Sequence, residues 1–297
     1  MKVLISGASG LIATEVTRQL EARGDTVVRL VRRAASGPNE VEWHPERGFL
    51  ATDALAEIDA VVNLAGATIG KLPWSKSYKA ELVASRLAST KLLVEAINAA
   101  EEKPKVFVSG SASGFYGDTG QRLAIETDPA GAGFLADLSN RWEKEAAKVD
   151  SSVRLVLLRT SVVMSRKLGA LGKLLPLIKA GLGGPLGSGK QWWAWISLPD
   201  EARAIIHLID TVSAVGAFNL TAPEPARCIE MVRALARGLG RPAILPVPAF
   251  ALRILMGEGA NEVLLSNQKL SAQKLIDSGF KFEHPDLASA AKWVLGK

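Results

Sequence analysis

Cysteine and histidine are scarce in this chain. The 297 residues include one cysteine, Cys228, and three widely separated histidines, His44, His207 and His284. A lone cysteine cannot form an internal disulfide bond, and these histidines do not have the spacing of a zinc site. We therefore expect neither an internal disulfide nor a bound metal.

Long hydrophobic runs are absent as well. No apolar run reaches the ~18 residues that mark a transmembrane helix, and the opening MKVLISGASG has only a short apolar stretch ahead of its glycines. The N-terminus therefore lacks the pattern of a secretory signal peptide. We expect a cytoplasmic protein with no membrane partner.

Clustered positive charge is missing, although the chain is basic overall. Lysine and arginine together number 36 against 30 acidic residues, which gives a formal charge of +6. The cations alternate with acids, as in RWEKEAAK, and they form no basic run with interleaved aromatic residues. Such a run is a usual mark of nucleic-acid binding. We therefore predict no nucleic-acid partner and expect a small-molecule ligand.

The apolar residues form short runs that alternate with helical patterns. The runs KVLISGA, DTVVRLVRR, DAVVNLAG, PKVFVSGSAS and VRLVLLRTSVVMS have the length and composition of buried strands. Amphipathic segments such as LIATEVTRQLEARG and FLADLSNRWEKEAAKV lie between them. Strands rich in valine, isoleucine and leucine and separated by helices are typical of a parallel sheet covered on both faces. The sequence therefore predicts an α/β fold, a Rossmann doubly wound parallel sheet with a smaller, mainly helical C-terminal lobe.

The pattern changes after Ser165, where a glycine-rich segment with three tryptophans begins. We predict a nucleotide-binding core over residues 1–165, and a strand near 216–222 is expected to join its sheet. Residues 166–211 and 223–297 are predicted to form a substrate-binding lobe. This lobe would cover the carboxyl edge of the sheet, where doubly wound folds bind their ligands.

The first strand runs into a turn of small residues, GASGLIA, before the first helix. Gly7 and Gly10 let the backbone turn tightly and approach a pyrophosphate, which then faces the positive end of the helix. The alternative is a turn with a purely structural role. The predicted nucleotide contacts in this turn are Gly7, Ser9, Gly10, Leu11 and Ile12.

Two arginines follow the second strand, at the position that selects between the two nicotinamide cofactors. An NAD site places an acid there against the ribose 2′-hydroxyl, whereas this strand ends in Val31, Arg32 and Arg33, and we expect no acid nearby. Guanidinium groups pair well with a 2′-phosphate, so the sequence favours NADP(H). The alternative is a pair of solvated arginines. The end of the third strand adds four predicted contacts: Asn63, Leu64, Ala65 and Gly66.

Several longer stretches resemble a known family. The segments SGSASGFYGD, LGGPLGSGKQWWAWISLPD, NLTAPEP and the C-terminal LLSNQKLSAQKLIDSGFKFEHPDL are similar to atypical extended short-chain dehydrogenase/reductases, the YfcH-like or SDR39U-type epimerase-family proteins. The resemblance covers essentially the whole chain and implies an NADP(H)-binding Rossmann core with a substrate lobe. Ala13 and Ser197 depart from the family pattern, which usually has glycine and histidine there. The resemblance implies cofactor contacts at Arg32, Leu64, Ala65, Glu81, Arg86 and Val162.

Tyrosine is nearly absent, which conflicts with the usual chemistry of short-chain reductases. Those enzymes use a Tyr-x-x-x-Lys pair to transfer a proton and hold the ribose, and a serine to orient the reacting oxygen. Neither Tyr78 nor Tyr116 has a lysine four residues later. If Glu143 is the acid that commonly follows the motif, Leu135 and Ser139 stand at the two catalytic positions. The usual acid/base pair is therefore missing.

The remaining candidates for chemistry lie mainly in the SGSASGFYGD loop. We predict Ser111 and Tyr116 as catalytic residues, and Ser113, Asp118 and Asp137 are alternatives. Serines in loops of small residues commonly bond to backbone instead, so a structural role for Ser111 stays open. Tyr116 has no nearby lysine in the sequence to lower its pKa.

The loop GGPLGSGKQWWAW combines flexible glycines with a lysine, an amide and three indole rings. That mixture suits a lid over a ligand, and we predict substrate contacts at Gln191 and Trp192, with Trp195 in the core. The whole pattern indicates an NADP(H)-binding oxidoreductase or epimerase-like protein that acts on an unidentified small molecule, and it allows a homodimer. The alternative is a non-catalytic sensor of NADP(H) or of a metabolite.

Overall fold

Strands and helices alternate along most of the chain. A computed structural model describes residues 1–166 and 170–297. The strands are β1 (Lys2–Ser6), β2 (Thr26–Val31), β3 (Glu40–His44), β4 (Phe49–Leu50), β5 (Ala60–Asn63), β6 (Val106–Ala112), β7 (Arg154–Thr160), β8 (Val162–Met164), β9 (Trp192–Trp193), β10 (Trp195–Ser197), β11 (Gly216–Leu220) and β12 (Ala226–Arg227). The α-helices are α1 (Leu11–Ala22), α2 (Lys76–Ala99), α3 (Phe134–Ala146), α4 (Ala170–Lys179), α5 (Leu198–Asp210), α6 (Cys228–Gly238), α7 (Ala249–Met256), α8 (Gln273–Asp277) and α9 (Leu287–Leu295). Short 3₁₀ turns cover Pro45–Arg47 and Ser113–Tyr116, and a π-helical turn covers Ala260–Leu265.

One large sheet forms the centre of the molecule. Within the described ranges it has eight strands in the order β11-β7-β6-β5-β1-β2-β3-β4. Neighbouring strands run parallel except at one edge, where the short β4 pairs antiparallel with β3. The strand order reverses at β1, which pairs with β2 on one side and β5 on the other, and doubly wound sheets bind ligands at such a switch point. The predicted α/β fold is confirmed.

Helices cover both faces of the sheet because alternate strand residues point to opposite sides. Val3 and Ile5 of β1 pack with Val16 and Leu20 of α1 in one buried core. Leu4, which lies between the two β1 residues, belongs to the core on the opposite face. Full burial of each such side chain contributes about 1.5 to 3 kcal/mol. The carboxyl edge of the sheet is therefore supported from both sides.

Helix α5 lies against the sheet. Ile205 and Leu208 of this helix share a core with Val16 and Leu20 of α1. The predicted lobe segment 166–211 includes this helix, so the structure places part of that segment with the sheet. The sequence pattern of α5 shows that one face is buried, but the pattern does not say which partner covers it. The remainder of the predicted division into core and lobe stays a prediction.

A second core lies in the C-terminal part of the chain. Trp193, Trp195 and Met231 are buried there together. The indole N–H of the fully buried Trp195 donates to the backbone carbonyl of Glu224 at 3.2 Å, so this tryptophan has a structural role. Of the helices in the described ranges, none combines the length and the apolar character that crossing a bilayer demands.

Candidate functional site

The turn after β1 and the end of β5 meet at the switch point of the sheet. The buried Ser6 hydroxyl donates to the side-chain oxygen of Asn63 at 2.6 Å. It also accepts hydrogen bonds from the backbone N–H groups of Leu64 and Ala65, at 3.1 and 3.2 Å. Gly7 has a φ of +67°, and a Cβ at this position would lie only 2.7 Å from the carbonyl oxygen of Leu64. Only glycine tolerates both the positive φ and the short distance to Leu64. Glycine at position 7 therefore allows the two loops to lie in close contact.

The first turn of α1 presents backbone N–H groups at this crevice. Gly10 occupies the N-cap, and within the described part of the chain no side chain caps the helix there. Ser9 and Gly10 are exposed, whereas Leu11 and Ile12 are half-buried. Unpaired N–H groups and the helix dipole favour an anionic group at this end. The turn therefore has the properties that a pyrophosphate site needs.

The two arginines after β2 differ in their surroundings. Arg33 donates two hydrogen bonds to the Glu40 carboxylate, both at 2.7 Å, and this pairing lowers the pKa of Glu40 to about 2. Arg32 is exposed and has no hydrogen-bond or ion-pair partner among residues 1–166 and 170–297. The expectation of no acid near this strand's end is wrong, because Glu40 begins the neighbouring strand β3. Of the two arginines, Arg32 is the one available to a 2′-phosphate.

Arg86 on α2 brings a half-buried positive charge to the end of β5. Its Nη1 atom donates to the backbone carbonyls of Ala67 and Leu82, both at 3.1 Å. A Cβ on Gly66 would lie 3.1 Å from the guanidinium carbon, so the side chain lies directly against this loop. Burial lowers the pKa of Arg86 to about 10, and no carboxylate in the described ranges pairs with it. A partly buried cation without a counter-ion favours an anionic ligand.

Glu81 and Val162 are two further cofactor contacts implied by the family resemblance, and their surroundings say less about a cofactor. Glu81 is exposed on α2. Val162 begins β8, and its backbone N–H donates to the carbonyl of Ala194 at 3.1 Å. The N–H of Val162 is therefore not free for a ligand.

The two predicted catalytic hydroxyls belong to a buried polar network. Ser111 donates to Glu143 at 2.6 Å, and Arg159 pairs with both oxygens of that carboxylate at 2.8 and 2.9 Å. Tyr116 accepts from Arg159 at 2.8 Å and donates to Asn219 at 2.7 Å. Tyr116 is 1% exposed, and burial raises its pKa to about 12. The Tyr116 proton is directed at Asn219, which favours a structural role for this hydroxyl, and the catalytic roles of Ser111 and Tyr116 stay predictions.

A cavity of about 320 Å³ opens beside the first turn of α3. Gly114, Asp118 and Leu135 line it from the core, and Glu262 and Gln268 line it from the C-terminal segment. Glu262 accepts a hydrogen bond from the backbone N–H of Leu135 at 3.0 Å, so its carboxylate covers the N-terminus of the helix. If Glu143 is the acid that follows the motif, as the sequence analysis assumes, Leu135 is at the tyrosine position. On that assignment the cavity lies next to the position of the missing tyrosine.

The side chains of Gln191 and Trp192 in the tryptophan-rich loop contact other parts of the protein. Gln191 is 5% exposed, and its amide donates to two backbone carbonyls at 2.9 and 3.0 Å. The cationic groups of Arg227 and Lys269 lie 4.2 and 4.5 Å from the centre of the Trp192 ring. Neither Gln191 nor Trp192 lines the cavity beside α3. These contacts give both side chains structural partners, so their predicted substrate contacts have no support from this geometry.

Another polar cluster ties the C-terminal segment to α5. Asp200, Glu283 and His284 bring three ligand-type side-chain atoms close together. The Asp200 carboxylate, however, accepts the backbone N–H groups of Glu283 and His284, both at 2.8 Å. It also accepts the hydroxyl of Ser197 at 3.0 Å, and Ser197 caps α5. These bonds occupy the carboxylate of Asp200. The cluster therefore has a structural role, because it joins the C-terminal segment to α5.

Sequence reasoning missed three residues that shape the site: Glu40, Trp142 and Glu262. Glu40 follows Arg33 by seven residues, and the parallel pairing of β2 with β3 brings the two together. Trp142 on α3 lies against Arg86, whose guanidinium carbon is 5.2 Å from the centre of its ring. Trp142 follows Ser139 by three residues, a helical spacing that could have drawn attention to it. Glu262 is distant in sequence from α3, and no local pattern links the two.

Comparison with known proteins places these features in a family. Residues 3–221 match the NAD dependent epimerase/dehydratase family, and residues 247–294 match a domain of unknown function, DUF1731. The chain is 39% identical to an epimerase family protein of Mycobacterium leprae, over 98% of this chain and 95% of the relative. It is 34% identical to the human epimerase family protein SDR39U1, over 99% of this chain and 100% of the relative.

The solved structures agree with the sequence relatives. A crystal structure of human SDR39U1 (isoform 2) with NADPH matches this fold with a TM-score of 0.91 at 32% identity, covering 100% of this chain and 99% of that chain. The resemblance inferred from the sequence is confirmed. The family match spans the sheet, the glycine turn and both loops at the switch point. The chain belongs to the NAD dependent epimerase/dehydratase family.

Proposed function

We propose that this protein binds NADP(H) at the carboxyl edge of the sheet and acts on a small molecule as an oxidoreductase or epimerase-like enzyme. Its family and a human relative crystallised with NADPH support the cofactor. The bound nicotinamide would supply or accept a hydride. Proton transfer falls to side chains other than a Tyr-x-x-x-Lys pair, which the sequence lacks.

The unpaired Arg32 is the observation that carries this proposal. Its exposed side chain follows β2, next to the switch point, while Glu40 holds its neighbour Arg33. A guanidinium binds phosphate through charge-assisted hydrogen bonds. This position therefore favours the 2′-phosphate of NADP(H) over the 2′-hydroxyl of NAD(H).

The surrounding residues fit the rest of the cofactor. The Gly7 turn leaves no room for a Cβ and leads into the uncapped end of α1, where the backbone N–H groups suit a pyrophosphate. Leu64, Ala65 and Gly66 lie beside this turn and would flank the adenosine and pyrophosphate half. Arg86 adds a half-buried positive charge that lacks a protein counter-ion among the described residues.

The cavity beside Leu135 is the proposed substrate site. Among the described lining residues, the ionisable ones are Asp118, Arg253 and Glu262. The side chain of Asp118 already accepts a backbone N–H at 2.8 Å and an amide at 3.1 Å, and arginine stays protonated. Glu262 accepts two N–H groups of α3, at 3.2 and 3.0 Å, and a carboxylate has further lone pairs. Asp118 and Glu262 each accept two hydrogen bonds at these distances and keep further lone pairs, so these two carboxylates are the lining groups that can accept a proton from a bound substrate.

A second function, cofactor binding without turnover, is favoured by the loss of the usual acid/base pair. Leu135 and Ser139 replace that pair, and the proton of Tyr116 is committed to Asn219. A panel of small metabolites, followed at the nicotinamide absorbance band, separates the two functions. A change with any metabolite supports an enzyme. Tight cofactor binding without any change across the panel supports a sensor.

Arg32→Ala tests the cofactor proposal directly. We expect NADPH affinity to fall by on the order of 1.5 to 3 kcal/mol, roughly 10- to 150-fold, while NADH affinity stays the same. The matched control combines Arg33→Ala with Glu40→Ala, which removes the neighbouring arginine together with its acid. We expect NADPH affinity in this control to stay within a few-fold. Equal losses in the two variants would contradict the role of Arg32.

A further inference from the structure

In the described part of the chain, seven large apolar side chains lie exposed around the second core. Phe250, Ile254 and Leu255 of α7 are between 65% and 78% exposed. Leu252 of the same helix is buried in the second core, whereas Phe250 and Ile254 lie one turn apart on the opposite side. Single exposed apolar residues are common, but a group of them marks an interaction surface. We call these residues the apolar patch: Leu177, Leu182, Ile244, Leu245, Phe250, Ile254 and Leu255.

Backbone pairing brings the segments that carry the apolar patch together. The N–H of Leu245 donates to the carbonyl of Gly183 at 3.2 Å, directly after Leu182. A parallel bridge then joins Leu186 to Val247, shortly before α7 begins. The segment that follows α4 therefore runs beside the segment that leads into α7. The exposed side chains of the two segments are neighbours on the surface.

The two stretches of sequence that carry the apolar patch contain no acid. Neither aspartate nor glutamate occurs between Asp150 and Asp200, or between Glu230 and Glu258. Both stretches contribute to the second core, so the fold brings their cations to the same part of the molecule. Six exposed cations of these stretches are Lys179, Lys190, Arg233, Arg237, Arg241 and Arg253.

Neighbouring acids do not neutralise these cations. Among residues 1–166 and 170–297, none of the six forms an ion pair. The nucleotide-binding part of the chain differs, because Arg23, Arg29 and Arg33 there each pair with a carboxylate. An apolar surface with unpaired cations around it is complementary to an anionic layer that covers an apolar interior.

A second copy of this chain fits the surface less well than a lipid bilayer does. A two-fold symmetric dimer brings the same patch of both copies together, so the unpaired cations would face each other without acids between them. A bilayer with anionic headgroups supplies both the negative charge and the apolar interior. The absence of a signal peptide and of a long apolar run, on which the expectation of no membrane partner rests, does not bear on binding to a membrane surface.

We infer that the apolar patch and its surrounding cations bind the surface of a membrane that contains anionic lipids. Phe250 and Ile254 enter the boundary between headgroups and acyl chains, and Lys179 and Arg241 contact the lipid phosphates. Helix α7 also carries Arg253, which lines the cavity beside α3, so the membrane contact lies next to the proposed substrate site. This inference goes beyond the proposed function and does not require NADPH to bind.

Cosedimentation of the full chain with lipid vesicles tests this inference. Vesicles of neutral phosphatidylcholine are compared with vesicles in which about a third of the lipid is phosphatidylglycerol. We expect the protein to bind the anionic vesicles roughly tenfold more tightly or better, and added salt should reduce the difference. Ile254→Asp should weaken this binding by roughly tenfold. The matched control is Val212→Asp, which changes an apolar residue that is 83% exposed in the turn before β11 and should bind like the unmodified protein.

A second pair of variants tests the charge around the apolar patch. Lys179→Gln combined with Arg241→Gln should weaken binding to the anionic vesicles several-fold and leave binding to neutral vesicles unchanged. Arg47→Gln combined with Lys281→Gln removes the same net charge from exposed positions beside the large sheet and should have little effect. Melting curves and NADPH titration establish that each variant is folded. If Ile254→Asp does not fold, the charge variants decide the question.

Several outcomes would overturn this inference. They are failure of the unmodified protein to bind anionic vesicles, equal binding to neutral and anionic vesicles, and equal losses in a patch variant and its control. Light scattering gives a further test of what covers the apolar patch. A dimer that Ile254→Asp converts to a monomer, with vesicle binding unchanged, would show that a second copy covers it. Failure of the unmodified protein to bind NADPH would overturn the proposed function alone.

Discussion

Arg159 donates a hydrogen bond to the Tyr116 hydroxyl at 2.8 Å while it forms a two-point ion pair with Glu143. The three groups come from β7, from the turn after β6 and from α3. Their pairing links the sheet to the helix that carries the lost acid/base positions. Removing one member of a buried network leaves its partners without hydrogen bonds, which costs more than the bond itself contributes.

Tyr116→Phe tests whether this hydroxyl is structural. We expect the free energy of unfolding to fall by about 1 to 3 kcal/mol, because Asn219 loses a buried donor, and NADPH affinity to stay within a few-fold. Urea unfolding and cofactor titration measure the two effects. Tyr78→Phe is the control, since that hydroxyl donates to a single partly buried backbone carbonyl, and its loss should be smaller. If Tyr116→Phe leaves the free energy of unfolding unchanged and abolishes turnover, Tyr116 is catalytic.

Glu201 gives the protein a specific dependence of stability on pH. The side chain is fully buried, Thr160 donates to one of its oxygens at 2.7 Å, and the other has no partner among the described residues. Burial raises the pKa of Glu201 from 4.5 to about 8. Between these two values the folded protein binds a proton that the unfolded chain has released. The free energy of unfolding therefore falls as pH rises through this window.

Glu201→Gln should remove that dependence. The amide keeps an acceptor for Thr160 but does not titrate, so we expect the variant to gain stability over the unmodified protein by up to about 1.4 kcal/mol per pH unit between the two pKa values. Chemical unfolding at a series of pH values measures the difference between the proteins. Parallel stability curves for the two would show that Glu201 does not titrate in this range.

The sequence was sufficient to predict the sheet and its glycine turn, because both depend on local patterns. Apolar runs of strand length that alternate with amphipathic helices leave few arrangements other than a parallel sheet covered on both faces. The turn at Gly7 follows from residue size, and the structure adds the backbone contact with Leu64 that requires glycine.

The partners of the site residues could not be predicted, because the fold brings them together and no local sequence pattern links them. Arg33 is paired with Glu40 only because β2 and β3 lie side by side. The Tyr116 hydroxyl donates to Asn219, which is 103 residues away in sequence. The cavity joins Leu135 to residues of the C-terminal segment, which the local sequence of α3 does not indicate.

Gly10→Val tests the pyrophosphate approach at the first turn. Gly10 has an extended backbone with φ of −74°, which valine can adopt, and the added Cβ would lie 3.0 Å from the Gly7 carbonyl oxygen. We expect a folded protein, destabilised by ~1 to 3 kcal/mol through this tight contact, with little or no NADPH binding. Gly37→Val is the control, because no atom lies within 4 Å of the Cβ it adds. Unchanged cofactor binding in Gly10→Val would mean that the turn is only structural.

Leu135→Tyr combined with Ser139→Lys tests the loss of conventional chemistry. The two positions are four residues apart and share one face of α3, so the double variant rebuilds the usual pair. Leu135 borders the cavity, which provides space for the new ring. With NADPH present, we expect the double variant to reduce a simple diketone such as 2,3-butanedione, while each single variant and the unmodified protein do so poorly. Rapid reduction by the unmodified protein would show that its proton donor lies elsewhere.

The most direct test of the central claim is calorimetric titration of the unmodified protein with NADPH and with NADH at one ionic strength. We predict that NADPH binds tighter by roughly tenfold or more, because Arg32 contributes a charge-assisted contact only to the 2′-phosphate. The difference should shrink as salt is added, since the arginine is exposed. Equal affinity for the two cofactors, or no measurable binding of either, would contradict the proposed function.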